Sequence, residues 1–392
     1  MISELFTVVL IISLSLCVYA YIGYPVVLLG LIFFSTALPD IDENTDFLPS
    51  VTMVVAAHNE ATIIKQKLRN IEQIDYEGEF NCLVVSDSTD NTDTLVERFK
   101  GPRTSLLSLG ERKGKSYALN VAASTANGDV LVFSDANTMF DSDALSTLIK
   151  PLSDQSIGCV TGSLRLIDAQ SQTIESIYWR YELWLRQLET DLGTTVSING
   201  GMLAIRRKDF DPLPECAVTD DMVTALREAS TDRRIVFVPG ATATEYTAGG
   251  LWEEYSRRKR IGVGNYQTLV WFANLLNPAH SLTAFEFVSH KVLRWCMPFL
   301  LGSLTLSNVI LVILSSSPVF DALMVLQSVF YLLAAIGMIS SNLRSKPIFS
   351  MPSYFVVMNI AFTVGIWKFL MGVTHDVWEA TPRVNDQVKD RD

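Results

Sequence analysis

The sequence predicts a doubly wound α/β domain, rich in parallel strands, carried between apolar helices. Three observations predict it. Apolar residues concentrate near both ends of the 392-residue chain, strand, polar turn and helix succeed one another three times between positions 51 and 133, and those strands end in oxygen-bearing side chains.

The first apolar run, residues 5–38, holds no charged side chain, and a bilayer is crossed by about 20 apolar residues. It is longer than the apolar core of a signal peptide and follows Glu4 rather than a basic cluster, so a membrane helix kinked at Pro25 is expected. Cys296–Ser317, Val319–Ser341 and Ile348–Val373 are three further apolar segments, with Asp321 and Lys368 near their ends, within reach of the interface. The basic stretch Asn342–Lys346 lies in the cytoplasm by the positive-inside rule, which places the charged middle of the chain there too. The expected organisation is therefore a multi-pass protein of the cytoplasmic membrane. Residues 1–38 span, 39–250 form the cytoplasmic domain, 251–295 are interfacial, 296–373 hold three more membrane segments, and 374–392 are a polar tail.

A net charge of −11 and a pI of 4.9 argue against nucleic acid as a partner. Five scattered cysteines without a Cys-x-x-Cys pair suit a reduced compartment and supply no zinc site.

Within the domain, Val51–Ala57 is an unbroken apolar strand and His58-Asn59-Glu60 turns into a helix carrying Ile63, Ile64, Leu68 and Ile71. Cys82–Val85, the polar turn Ser86–Asn91 and a helix from Thr92 repeat the plan. A third round leads through "KGKSYALNVAASTANG" to the strand Val130–Phe133. Such sheets bind ligands at the carboxyl ends of their strands, where Glu60, Asp87 and Asp135–Asn137 fall. One aspartate after a strand is usually a helix cap, but three at corresponding edges point to a ligand. Asp141 and Asp143 are expected to cap the following helix. Neither a P-loop nor a Gly-x-Gly-x-x-Gly turn follows the first strand.

The ordered set "SVTMVVAAHNE", "VVSDSTDNT", "KGKSYALN", "FSDANT", "SINGGMLAIRR", "TDDM", "YSRRKR", "SHKVLRW" and "VWEATPR" resembles the membrane-embedded family 2 glycosyltransferases of polysaccharide-synthase type, related to cellulose, hyaluronan and poly-N-acetylglucosamine synthases. The resemblance implies a GT-A fold, a nucleotide-sugar donor such as a UDP-sugar, Mg²⁺ or Mn²⁺, and an inverting transfer to a glycan or lipid-linked acceptor. It places Asp87, Ala57 and Glu60 around the nucleoside, and Lys115 near the base or phosphates. Asp135 and Asn137 stand at the metal-binding Asp-x-Asp position; an amide there leaves the site one charge poorer, so weaker metal binding is expected. Asp221, preceded by Asp220, maps to the general base, and a neighbouring acid keeps such a base from becoming too weak. Asn199, Gly200 and Gly201 would lie under the donor sugar and acceptor. An accessory secretion subunit is a further partner of such synthases.

One departure affects the product. Where processive members carry Gln-x-x-Arg-Trp, this chain has Arg257-Arg258-Lys259-Arg260-Ile261. Arg257, Arg258 and Arg260 keep cations for a diphosphate, whereas Lys259 also suits an anionic lipid surface. The acceptor-stacking tryptophan is replaced by Ile261, so a single addition to polyprenyl phosphate competes with chain synthesis. A nucleotide-binding transporter or scaffold would not need the paired acids Asp220-Asp221. Thr283–Trp295 reads as an amphipathic helix with a structural His290. The segment Trp378–Arg383 is expected to reach the cytoplasmic domain if the last apolar segment is re-entrant, and to lie outside if it spans.

Overall fold

The apolar runs become strands where both of their faces are covered. The computed structural model describes residues 1–35, 47–99, 101–167, 177–246, 250–277 and 281–373. Helix α1 (Ile2–Val18) passes through a π-helical turn (Tyr19–Gly23) into α2 (Tyr24–Phe34). Then come β1 (Val51–Ala57), α3 (Ile64–Glu72), β2 (Phe80–Ser86), α4 (Thr92–Arg98), β3 (Thr104–Ser108), α5 (Lys115–Thr125) and β4 (Val130–Asp135). The next part holds β5 (Thr138–Phe140), α6 (Ala144–Ile149), β6 (Ile157–Ile167), α7 (Ile177–Leu192), β7 (Leu203–Arg206), α8 (Asp220–Ser230) and β8 (Arg234–Tyr246). The remaining helices are α9 (Leu251–Trp271), α10 (Ser281–Glu286), α11 (Leu293–Trp295), α12 (Met297–Leu314), α13 (Pro318–Ile339), α14 (Ser341–Arg344) and α15 (Pro347–Leu370).

These elements divide into two units, one holding residues 28–249 and 267–286, the other 1–27, 250–266 and 287–373. The first contains a mixed sheet in the order β3-β2-β1-β4-β7-β6-β8-β5. From β3 to β4 all neighbours are parallel, as the continuous apolar runs predict. Beyond β4 the sheet changes: β7 runs antiparallel to both β4 and β6, β8 is parallel to β6, and β5 is antiparallel to β8. That reversal positions the site. Because Leu203 of β7 faces Phe133 of β4, the residues entering β7 lie beside the residues leaving β4. The core between sheet and helices includes Met53, Ile64, Leu68, Ile71 and Leu148, all fully buried, each contributing about 1.5–3 kcal/mol of apolar burial.

Among the described residues four helices are long and apolar enough to cross a membrane: Ile2–Phe34, Met297–Leu314, Pro318–Ile339 and Pro347–Leu370. Ile313, Ile339 and Phe33 are 75%, 87% and 81% exposed, a pattern suited to lipid rather than water. The irregularity expected at Pro25 is a π-helical turn, in which the Tyr24 N–H bonds to the Tyr19 carbonyl. The turn accommodates the N–H that proline lacks, and the Arg294 guanidinium donates to the Ala20 carbonyl at 3.4 Å and lies 5.0 Å over the Tyr21 ring. His290 is buried, its ring 5.8 Å from the Tyr24 ring. Helix α9 meets α15 at Gly262 and Gly365, where a Cβ on Gly365 would stand 2.9 Å from the Gly262 Cα. Small residues permit this approach, the usual device of apolar helix pairs. The segment Trp378–Arg383 lies outside the described residues.

Candidate active site

Two successive strand-to-helix turns build one wall of the site. Asn59 holds φ +56°, a left-handed conformation that asparagine tolerates better than most side chains. Its carboxamide accepts the backbone N–H of Thr89 at 2.8 Å and of Asp90 at 3.3 Å, while its own N–H donates to the Ser88 hydroxyl at 2.9 Å. The Glu60 N–H donates to Thr92 Oγ1 at 2.8 Å. These bonds lace the turn after β1 to the turn after β2, and so bring Ala57, Glu60 and Asp87 together at one edge, all three buried. His58, which the sequence pattern does not single out, adds a ring nitrogen 2.7 Å from Asp87 Oδ1. A histidine directly after the first strand, at the edge that holds Asp87, was the available signal.

A second cluster at this sheet edge is ionic. The Lys115 ammonium stands 3.0 Å from Asp135 Oδ1 and 3.2 Å from Asp220 Oδ2, joining the end of β4 to the start of α8 across 85 residues of sequence. Burial alone would lower the Lys115 pKa, but Asp135 and then Asp220 outweigh it and hold the ammonium above the usual lysine value. Next to Asp220, the carboxyl of Asp221 is pushed up to about 6 by desolvation and then by the Asp220 charge, against the pull of Lys115 and of the Met222 N–H. That N–H donates to Asp221 Oδ1 at 2.8 Å. The loop before α8 is pinned from α9, where Gln267 Oε1 accepts the Val218 N–H at 3.3 Å and Thr268 bonds Thr219 at 3.1 Å.

The strand reversal carries the glycine pair between these acids. A Cβ on Gly200 would meet the Asp221 carboxyl at 3.2 Å, and one on Gly201 would stand 2.7 Å from Thr138 Oγ1 and 3.5 Å from Asp135 Oδ2. Gly200 and Gly201 therefore allow backbone to pass where a side chain would fill the cleft. Asn199 anchors the loop to β6: its N–H donates to Thr161 Oγ1 at 3.1 Å and its amide to the Gly162 carbonyl at 3.2 Å. Arg186 of α7, also unforeseen, is buried and donates to Ser197 Oγ at 3.1 Å, bracing the start of the same loop.

A divalent cation fits this donor set. Mg²⁺ and Mn²⁺ take one or two protein oxygens with the rest from water or phosphate, and Asp135 offers a carboxylate with the half-exposed Asn137 amide two residues on. Among the described residues no three His, Cys, Asp or Glu side chains gather as a closed metal cage, and Thr138 Oγ1 is buried beside Asp135 without a hydrogen-bond partner. Asp143 occupies the N-cap position of α6 without a side-chain cap bond. Asp141 instead pairs with Arg165 and accepts from Thr242, a tertiary use in place of the expected cap. Arg257 and Arg258 pair with Glu254 of their own helix at 3.5 and 2.6 Å, Arg260 is half-buried on α9, and Lys259 lies 5.9 Å over the Tyr255 ring.

Comparison with known proteins agrees with this architecture. Residues 52–213 match the model of glycosyl transferase family 2. The chain is 28% identical over 245 residues to the poly-beta-1,6-N-acetyl-D-glucosamine synthase of Staphylococcus aureus, covering 59% of this chain and 58% of that protein. It is 28% identical over 255 residues to the probable glycosyltransferase YdaM of Bacillus subtilis, covering 61% and 60%. The match thus spans less than two thirds of the length of these curated relatives. In structure, a mannosyltransferase from Pyrobaculum calidifontis, solved with GDP-Man and Mn²⁺, superposes with a TM-score of 0.72 at 21% identity over 93% of this chain and 99% of that one. That likeness shows the fold.

Proposed function

We propose, on the premise that residues 52–213 are a glycosyl transferase family 2 domain of GT-A fold in a chain with four helices long and apolar enough to cross a membrane, that the protein transfers a sugar, with inversion, from a UDP-sugar to a growing glycan or lipid-linked acceptor. The observation that carries the proposal is the Lys115 bridge, which joins the Asp135 edge to the Asp220-Asp221 pair in one cleft. In this reading Ala57, Glu60 and Asp87 line the nucleoside pocket, Lys115 faces the diphosphate, and Asp135 with Asn137 would hold Mg²⁺ or Mn²⁺. The cation would neutralise the departing diphosphate. For Arg257, Arg258 and Arg260 a diphosphate role is supported by the sequence motif alone.

Asp221 takes the proton from the acceptor hydroxyl as that oxygen bonds to the anomeric carbon. The bond to the donor phosphate breaks on the opposite face, and the electron pair leaves with the nucleoside diphosphate. Gly200 and Gly201 leave room for the two sugars between Asp135 and Asp221. A carboxyl with a pKa of about 6 suits this task better than an ordinary aspartate, being a stronger base while remaining ionised at neutral pH.

Membranes carrying the protein, supplied in turn with radiolabelled UDP-sugars and GDP-Man, test the proposal by transfer to polymer or lipid. No transfer from any nucleotide sugar would overturn it. Product size then separates synthesis from single addition, the second reading that Ile261 favours. Transfer from GDP-Man alone would replace the UDP assignment with the donor named for the structural neighbour.

A further inference from the structure

Beneath the Asp135-Ala136-Asn137 turn lies a lysine that the reaction does not touch. Lys67 of α3 is completely buried. Its Nζ donates to Ser134 Oγ at 2.8 Å and to the Thr138 carbonyl at 2.5 Å, and lies 5.0 Å over the Phe140 ring. Ser134 immediately precedes Asp135 and Thr138 immediately follows Asn137, so one ammonium ties together both ends of the turn. The Ser134 hydroxyl in turn donates to the Asp135 carbonyl at 3.4 Å. One helical turn further on, Asn70 repeats the arrangement: its amide donates to the Phe140 carbonyl at 2.7 Å and accepts the Phe140 N–H at 2.8 Å.

Burying an ammonium is costly unless hydrogen bonds replace its water. An apolar side chain of similar length would occupy the same space without that cost, but could not hold Ser134 and Thr138 at a set separation. Burial draws the Lys67 pKa down to about 8, opposed by Cys82 and then Asp135, so the group is still mainly cationic at neutral pH. We infer that Lys67 is a positioning residue, a buried brace that fixes the Asp135-Asn137 turn in the geometry needed to receive a divalent cation. The inference rests on the proposed function for its metal. It gives a fully buried helix residue control over the site where Asn137 stands in place of a second acid.

The sign of the effect separates bracing from simple charge. If Lys67 acted only through its positive charge, removing it would tighten cation binding. If it braces the turn, removing it weakens binding, because partners behind metal ligands are typically worth about 10–100-fold in affinity. Purified full-length protein is titrated with Mn²⁺ and the unbound ion is read by electron paramagnetic resonance, with a thermal melt on each sample. Lys67→Met is expected to raise the Mn²⁺ dissociation constant about tenfold. Ser134→Ala, which removes one brace contact and keeps the lysine, should raise it about threefold and serves if Lys67→Met does not fold. Folded variants with parental or tighter Mn²⁺ binding overturn the brace alone. A parent that binds no Mn²⁺ overturns the metal assignment, and the brace with it.

Discussion

Replacing Asp221 by asparagine should separate catalysis from stability, because this carboxylate is expected to do chemistry at the expense of the fold. Its pKa stands at about 6 against an ordinary 3.8, and each pH unit corresponds to about 1.4 kcal/mol. The ionised form is therefore disfavoured by at most about 3 kcal/mol in the folded chain. Solvent at the partly exposed carboxyl, and titration shared with Asp220, reduce the usable figure to the order of 1 kcal/mol. Since the folded pKa is raised, that cost is fully present above about pH 6 and disappears as pH falls towards 3.8. At pH 8 the neutral amide should accordingly raise the melting temperature by about 1–3 °C, and at pH 4 the gain should vanish. Turnover should fall by about a hundredfold or more, the scale of a lost general base, while nucleotide binding measured by calorimetry stays close to the parent's. In the parent, kcat/KM should drop tenfold per pH unit below about 6, as Asp221 takes up its proton. Parental turnover in Asp221→Asn, or a variant that loses activity only in step with a lower melting temperature, would refute this reasoning.

Three further outcomes are expected. Asp135→Ala should abolish metal-dependent activity and Asn137→Ala should raise the half-saturating Mg²⁺ or Mn²⁺ concentration, whereas Asn137→Asp should lower it while maximal turnover holds or falls; metal titrations of initial rate check all three, and unchanged titration in both Asn137 variants would leave Asn137 as a turn residue. Gly201→Ala places a Cβ 2.7 Å from Thr138 Oγ1, forcing the loop or the Asp135 edge aside, and should cost about 10–100-fold in kcat/KM with little change in thermal stability. Asp87→Asn removes the carboxylate beside His58 and should raise the donor KM about tenfold with kcat nearly unchanged, the signature of lost uniform binding.

Much of the candidate site is legible in the amino-acid sequence. Val51–Ala57, Cys82–Val85 and Val130–Phe133 announce themselves because a strand covered on both faces must be apolar at successive positions, a local property of composition. Glu60, Asp87 and Asp135 then fall at the carboxyl edge by counting to the strand ends. The shorter β5 and β7 give weaker signals, since three or four residues do not establish a period. Lys67 is visible as a lysine three residues after Ile64 on a face shared with Leu68 and Ile71. Nothing local, however, says what it touches.

Local composition alone thus determined the helices long and apolar enough to cross a membrane, the parallel half of the sheet and the residue types at its edge, since hydrophobic period and strand length are written in consecutive residues. Tertiary structure decided which of those residues meet. The antiparallel entry of β7 brings Gly200 and Gly201 between Asp135 and Asp221, Lys115 joins acids 85 positions apart, and Lys67 reaches both ends of the Asp135–Asn137 turn. Each of these contacts depends on strand order and direction, which are set by the burial of the whole sheet rather than by any one segment.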